Sequence, residues 1–179
     1  MTRLYTIEAD SATGELATTF DAIKKGMGKV PNALATLGSN SPELLKQVLQ
    51  LNAMLQTRSA LSKKQLEAIN LAVSEDSGCD YCVAAHTLMG KAAGFSADQA
   101  KSLRSGSYPE DPGIDALIKF ALHLVRSNGT LAPAALEDIR SAGLSDRQIV
   151  ETIGAISAIL LTNMLNRVND TLLDFPKPS

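Results

Sequence analysis

The sequence predicts an all-α fold, and three observations carry the prediction. Aromatic residues are only 4% of the chain and Trp is absent, while Ala and Leu dominate; sheets draw on aromatic and β-branched residues, helices on Ala and Leu. One helix-start signature recurs: Leu61-Ser62-x-x-Gln65, Phe95-Ser96-x-x-Gln99 and Leu144-Ser145-x-x-Gln148. Each reads as a capping box, with the apolar residue that precedes it serving as a staple. Finally, no segment alternates as a half-buried strand would. The 179 residues are 45% apolar and 20% charged, enough for one domain, 1–179, to bury a core without staples.

The elements follow in chain order. Residues 1–12 read as an extended, weakly specified arm. Glu15 to Lys25 is helical and is ended by Gly26 and Gly28. A short helix runs from Pro31 to Leu37, begun by a first-turn proline and expected to stop at Gly38. Ser41-Pro42-Glu43 combines an N-cap, a first-turn proline and an N-terminal acid, and opens a helix to about Arg58 with Leu44, Val48, Leu51 and Leu55 on one stripe. The three boxes start helices near 62, 96 and 145. Ser77-Gly78 is a turn, and a helix begins at about Cys79 and runs to Ala93. Ser105 to Pro112 (SGSYPEDP) is the clearest linker, and helices follow over Pro112–Arg126 and Pro133–Ser141. LSKKQLEAINLAVS (61–74) and LSDRQIVETIGAIS (144–157) align, which suggests two related helical halves joined by 105–112. Only the first half carries cysteines; Thr162 and Leu165 stand at the equivalent places. The methionines at 27, 54, 89 and 164 fall among apolar positions and read as core filler.

Charge and composition exclude some functions. The formal net charge is −2, so the chain offers no broad basic surface to nucleic acid or to an anionic membrane. The N-terminus shows no apolar signal region, and Ile153–Leu165 is short and interrupted by Ser157, Thr162 and Asn163, so a cytoplasmic location is expected. In a reducing compartment two cysteines three residues apart point to chemistry or to metal binding more than to a structural staple.

The chemistry-bearing residues are Glu67, Cys79, Cys82 and His86. Spacings of three and four put Cys79, Cys82 and His86 on one face of a helix, with His86 one turn beyond Cys82. Glu67 precedes the turn at 77–78 by about as many residues as His86 follows it. At a rise of about 1.5 Å per residue both lie roughly 13–16 Å from the bend and face one another across an αα-hairpin. There the carboxylate would orient the imidazole, and the imidazole would take a proton from Cys82: nucleophile, base and orienter. Reactivity needs a thiolate, so the Cys82 pKa is expected to fall, helped by the helix N-terminus and opposed by Glu75, Asp76 and Asp80. Cys79, nearer the helix end, is expected to be the more exposed thiol. Zinc held by Cys79, Cys82, His86 and Glu67 is the competing use of the same residues, but a structural site would usually bring a second Cys/His pair. His123, in mid-helix, reads as structural, and Tyr81 as a cover for the hairpin or an accessory to its chemistry.

Glu67-x11-Cys79-x-x-Cys82-x3-His86 resembles the signature of the AhpD-like alkylhydroperoxidases of the carboxymuconolactone decarboxylase superfamily. Val30-Pro31-Asn32, Ser41-Pro42-Glu43-Leu44-Leu45 and Asn166-Arg167-Val168-Asn169 look like its peroxidase-related branch. The resemblance implies an AhpD-like bundle of about seven to nine helices and assembly as trimers or hexamers. It implies a peroxidase acting on alkyl hydroperoxides or hydrogen peroxide. Cys82 would attack, Cys79 would resolve the sulfenic acid into a disulfide, and Glu67 and His86 would relay the proton. No cofactor or metal is implied, only a dithiol or lipoyl-type reductant to reopen the disulfide. Some members carry His where this chain has Tyr81. Two alternatives remain at this point: a carboxymuconolactone decarboxylase-type lyase, and a non-catalytic redox sensor that uses the disulfide as a switch.

Overall fold

The computed structural model describes residues 2–178, and the described residues form helices with no strand. In chain order they are α1 (Gly14–Met27), α2 (Asn32–Asn40), α3 (Pro42–Arg58), α4 (Lys63–Asp76), α5 (Asp80–Ala92), α6 (Ala97–Arg104), α7 (Pro112–Arg126), α8 (Pro133–Ser141) and α9 (Asp146–Asn169). All three predicted capping boxes are present. Ser62, Ser96 and Ser145 accept the N3 backbone N–H, while Gln65, Gln99 and Gln148 reach back to the cap. Each Ser cap stabilises its helix by about 1 kcal/mol.

The centre of the fold is α4. It buries Leu66, Glu67, Ala68, Ile69, Leu71, Ala72, Val73 and Ser74, more than one face of a surface helix could hide. It packs against α5, α6, α7 and α9. One core joins α4 and α5 to α7 and α9 through Leu66, Ile69, Val73, Leu117, Phe120, Ile156 and Ile159. A second lies between α4, α6 and α7, around Leu71, Phe95, Leu103 and Ile118. A third closes α1, α2 and α3 around Phe20, Leu37, Leu45 and Val48.

Several expectations are corrected here. The N-terminal arm is not loose: Arg3 N–H donates to the Asn169 carbonyl, Leu4 N–H to Asn169 Oδ1 at 2.8 Å, and Ala9–Ser11 make a 3₁₀ turn. Gly38 does not end α2, which runs on to Asn40. A Cβ there would lie 2.8 Å from both Leu45 Cδ2 and Phe20 Cε1, so the glycine permits close packing of α2 on α1 and α3. Within the 105–112 linker Tyr108 is buried edge-on against Phe95, which pins the segment. Three of the four methionines expected in the core, Met27, Met54 and Met164, are exposed instead. The last helix runs 24 residues, and by length and composition alone it could cross a membrane. One of its faces is buried in the core, while Val150, Ile153, Met164 and Val168 are exposed.

Gly38→Val should destabilise the fold by about 1–3 kcal/mol through overpacking. Gly154→Ala, with open space around its Cβ, should be neutral or stabilising. Urea unfolding of the two variants measures the contrast.

Candidate active site

The site is built on the α4–α5 hairpin. Gly78 stands at φ 62°, a left-handed conformation that suits glycine, and closes the turn as Gly78 N–H donates to the Glu75 carbonyl and Cys79 N–H to the Ser74 carbonyl. Arg167 of α9 donates to the Ser77 carbonyl at 2.7 Å and ties the turn to the core. The short turn sets the register. Across the hairpin, as the spacing predicts, the His86 ring bonds through Nδ1 to Glu67 Oε2 at 2.8 Å. Glu67 is 5% exposed and His86 half-buried. An ionised carboxylate can only accept, so Nδ1 carries the hydrogen and Nε2 is left as the proton acceptor.

Both cysteines are free thiols and both are buried; Cys79, expected to be exposed, is 1% exposed. The reason is local. Cys79 is the N-cap of α5, and its sulfur turns inward to accept the Cys82 backbone N–H at 3.3 Å. Cys79 borders a cleft of about 320 Å³, lined also by Glu75, Asp80, Val83 and Arg104 and by Leu173, Lys177 and Pro178 of the C-terminal tail. A larger cleft, about 520 Å³, is lined by residues such as Lys119, His123 and Arg126 and holds neither cysteine.

The electrostatics differ from the expectation. The Cys82 thiol hydrogen-bonds the Cys79 sulfur. That bond, helped by the Cys82 N–H and the nearby His86, draws the Cys79 pKa below the usual thiol range. The same bond, followed by burial, pushes Cys82 up. Of the two thiols, Cys79 is therefore the one that ionises more readily. His86 makes no hydrogen bond to either sulfur among the described residues, so direct proton transfer from Cys82 to the imidazole is not set up at rest. Asn166 of α9 donates from Nδ2 to Cys82 Sγ at 3.2 Å.

Tyr81 covers the hairpin and does more. Its hydroxyl donates to Asp174 Oδ1 at 2.7 Å and accepts the Ala33 N–H at 3.3 Å. Burial pushes its pKa up, so it stays a phenol. Asp174 also pairs with Lys29 at 3.0 Å, and Phe175 packs edge-on against Tyr81. These contacts hold the tail beside the dithiol. His123 is exposed and bonds through Nε2 to the Thr130 carbonyl, a structural use. No group of three or more His, Cys, Asp and Glu side chains is arranged around a common metal position among the described residues. Two residues gain a place at the site that the sequence reading does not give them: Asn166, which enters it only within the Asn166–Asn169 stretch, and Asp174. The available signal for Asn166 was three asparagines, 163, 166 and 169, spaced by three in an apolar helix; nothing marked Asp174.

Residues 42–121, which hold the whole hairpin with Glu67, Cys79, Cys82 and His86, match the carboxymuconolactone decarboxylase family. Among solved structures, an uncharacterised peroxidase-related protein from Silicibacter sp. TM1040 is 25% identical, with a TM-score of 0.83 over 96% of this chain and 91% of that one. An uncharacterised peroxidase-related protein with an alkylhydroperoxidase AhpD core, from Ralstonia eutropha JMP134, is 20% identical, with a TM-score of 0.86 over 97% and 92%. The debrominase Bmp8, in a complex with 2,3,4-tribromopyrrole, is 17% identical, with a TM-score of 0.77 over 97% and 92%. No curated protein matches the chain. The family takes its name from a decarboxylase and the fold also carries a debrominase, so enzymes are found on this scaffold.

The difference between the two thiols has a measurable signature. Thiolate absorbance at 240 nm should rise in two separate steps. The first lies below the reference thiol pKa of about 8.5, because Cys79 is lowered, and the second above it, because Cys82 is raised. A single two-thiol step near the reference value would contradict the pairing.

Proposed function

We propose that the protein is a thiol-dependent peroxidase that reduces alkyl hydroperoxides or hydrogen peroxide through a Cys79/Cys82 dithiol–disulfide cycle. The carrying observation is the 2.8 Å Glu67–His86 bond, one helical turn from Cys82 in a buried pair of free thiols. His86 Nε2 takes the proton that the pair has lost. Proton exchange inside the pair moves the charge from Cys79 to Cys82. The Cys82 thiolate attacks the terminal oxygen of the hydroperoxide; an S–O bond forms, the O–O bond breaks, and the alkoxide leaves as the alcohol with the Cys79 proton. The Cys79 thiolate then attacks the Cys82 sulfenic acid. The disulfide forms, and the departing hydroxide takes the His86 proton and leaves as water. One hydroperoxide and two thiols become one alcohol, one water and one disulfide.

An external dithiol, free or lipoyl-type on a partner protein, reopens the disulfide at Cys79, the cysteine that borders the cleft. Such reductants suit a cytoplasmic location. No bound cofactor, metal, nucleic acid or membrane enters the cycle. Both sulfurs are buried, so the tail at 173–178 that walls the cleft has to shift for an organic peroxide to enter. Glu67 orients His86, and Tyr81 anchors the tail to the hairpin without taking part in proton transfer. Homo-oligomer formation, as trimer or hexamer, belongs to the same proposal.

Thiol mass spectrometry after one equivalent of peroxide, with a sulfenate trap, tests the cycle. Wild type should give the Cys79–Cys82 disulfide. Cys79→Ser should accumulate sulfenate on Cys82 without turnover, and Cys82→Ser should lose turnover altogether. Full turnover in Cys82→Ser would overturn the assignment. A disulfide formed once, with no steady-state consumption under any dithiol, would make the protein a redox switch. Glu67→Gln should keep the fold and lower the single-turnover rate by about 10²–10⁴-fold if it acts through the base.

A further inference from the structure

The buried face of α9 carries three asparagines at intervals of three, and they are used differently. Asn169 is fully engaged: Oδ1 accepts the Leu4 N–H, and Nδ2 donates to Thr36 Oγ1 and Thr171 Oγ1. Asn163 accepts from Ser74 Oγ, and its Nδ2 has no protein partner. Asn166, 4% exposed, gives Nδ2 to Cys82 Sγ at 3.2 Å, and its Oδ1 has no protein partner. A buried carbonyl without a partner costs free energy, and a leucine of similar size would remove that cost. An amide N–H offered to a neutral thiol returns little, because sulfur there is a weak acceptor. Offered to a thiolate, the same bond is charge-assisted and about twice as strong. The side chain is therefore matched to a charged Cys82.

The surroundings sharpen the contrast. Cys79 and Asp80 stand at the start of α5, His86 lies nearly two turns on, Glu67 faces it from α4, and Tyr81 meets Asp174 of the tail. The Cys82 N–H and S–H favour charge on Cys79, whereas Asn166, with Thr162 beside it, favours charge on Cys82. We propose that Asn166 is a catalytic residue of the dithiol: its Nδ2–H stabilises the Cys82 thiolate that attacks the oxidant. This role rests on the peroxidase reading for its purpose, and on the α9 geometry for its existence.

The test compares Cys79→Ser with Cys79→Ser/Asn166→Leu and Cys79→Ser/Asn166→Asp, so that Cys82 is the only thiol. Iodoacetamide alkylation is followed against pH by mass spectrometry, with thermal unfolding measured on each protein. In the Leu variant the alkylation profile should move up by about one pH unit, a ten-fold loss of rate at neutral pH, while thermal stability holds or rises. A merely structural asparagine would lower stability and leave the profile in place. Asn166→Asp, nearly isosteric and without the donor, should move the profile at least as far; it decides the matter if the Leu variant does not fold. Profiles that superimpose on that of Cys79→Ser would overturn the role. No peroxide enters this assay, so failure of the wild type to consume peroxide would sink the peroxidase reading separately.

Discussion

One hydrogen bond across the α4–α5 hairpin organises the site, and much of the fold serves to hold it. Glu67 is a carboxyl group on the helix at the centre of the structure, in contact with almost no water. Burying such a group is costly unless a partner meets it. His86 is that partner only because the turn at Ser77-Gly78 is short enough to return α5 alongside α4 in register. The capping box at Ser62 fixes where α4 begins, and Arg167 of α9 clamps the turn where it ends. The reactive geometry therefore depends on helix boundaries, which are local properties, more than on any distant loop.

The acidic residues around the turn would oppose a thiolate if all of them faced it unpaired. Two of them are neutralised by partners far away in sequence. Glu75 pairs with Arg104 of α6 at 2.7 Å, and Asp76 with Arg126 of α7 at 2.6 Å. Asp80 alone among them acts against Cys79, and the thiol of Cys82 outweighs it. The helix N-terminus also works on a different sulfur from the one expected. Its free N–H, from Cys82, points back to the N-cap side chain, which is Cys79, and adds to the larger effect of the Cys82 thiol in lowering the Cys79 pKa.

The same distinction between local and distant contacts separates what is legible in the sequence from what is not. The helices beginning at Pro42 and at the three Ser boxes, and the Glu67–His86 encounter, are readable because each depends on short-range spacing. Gly38 is ambiguous because a glycine that ends a helix and one that lets two helices touch look alike until the neighbour is known; here the neighbours are Phe20 and Leu45. The methionines mislead because apolar character does not say which side of a helix faces out. The contacts of Asn166 to Cys82 and of Asp174 to Tyr81 span 84 and 93 residues, and no local pattern encodes them.

Tyr81 joins these threads. The resemblance places a histidine at this position in some members, where it would extend the proton relay. A phenol whose pKa burial raises cannot do that. Its hydroxyl is instead used at both ends, accepting from Ala33 at the start of α2 and donating to Asp174 of the tail. Asp174 in turn takes the Asn32 N–H and pairs with Lys29 just before α2, so the tail is fastened at the same place from two directions. The residue between the cysteines thus trades a titrating group for a structural strut. The same strut holds Leu173, Lys177 and Pro178 along the cleft that Cys79 borders, so the residue between the cysteines also shapes the surface beside the dithiol.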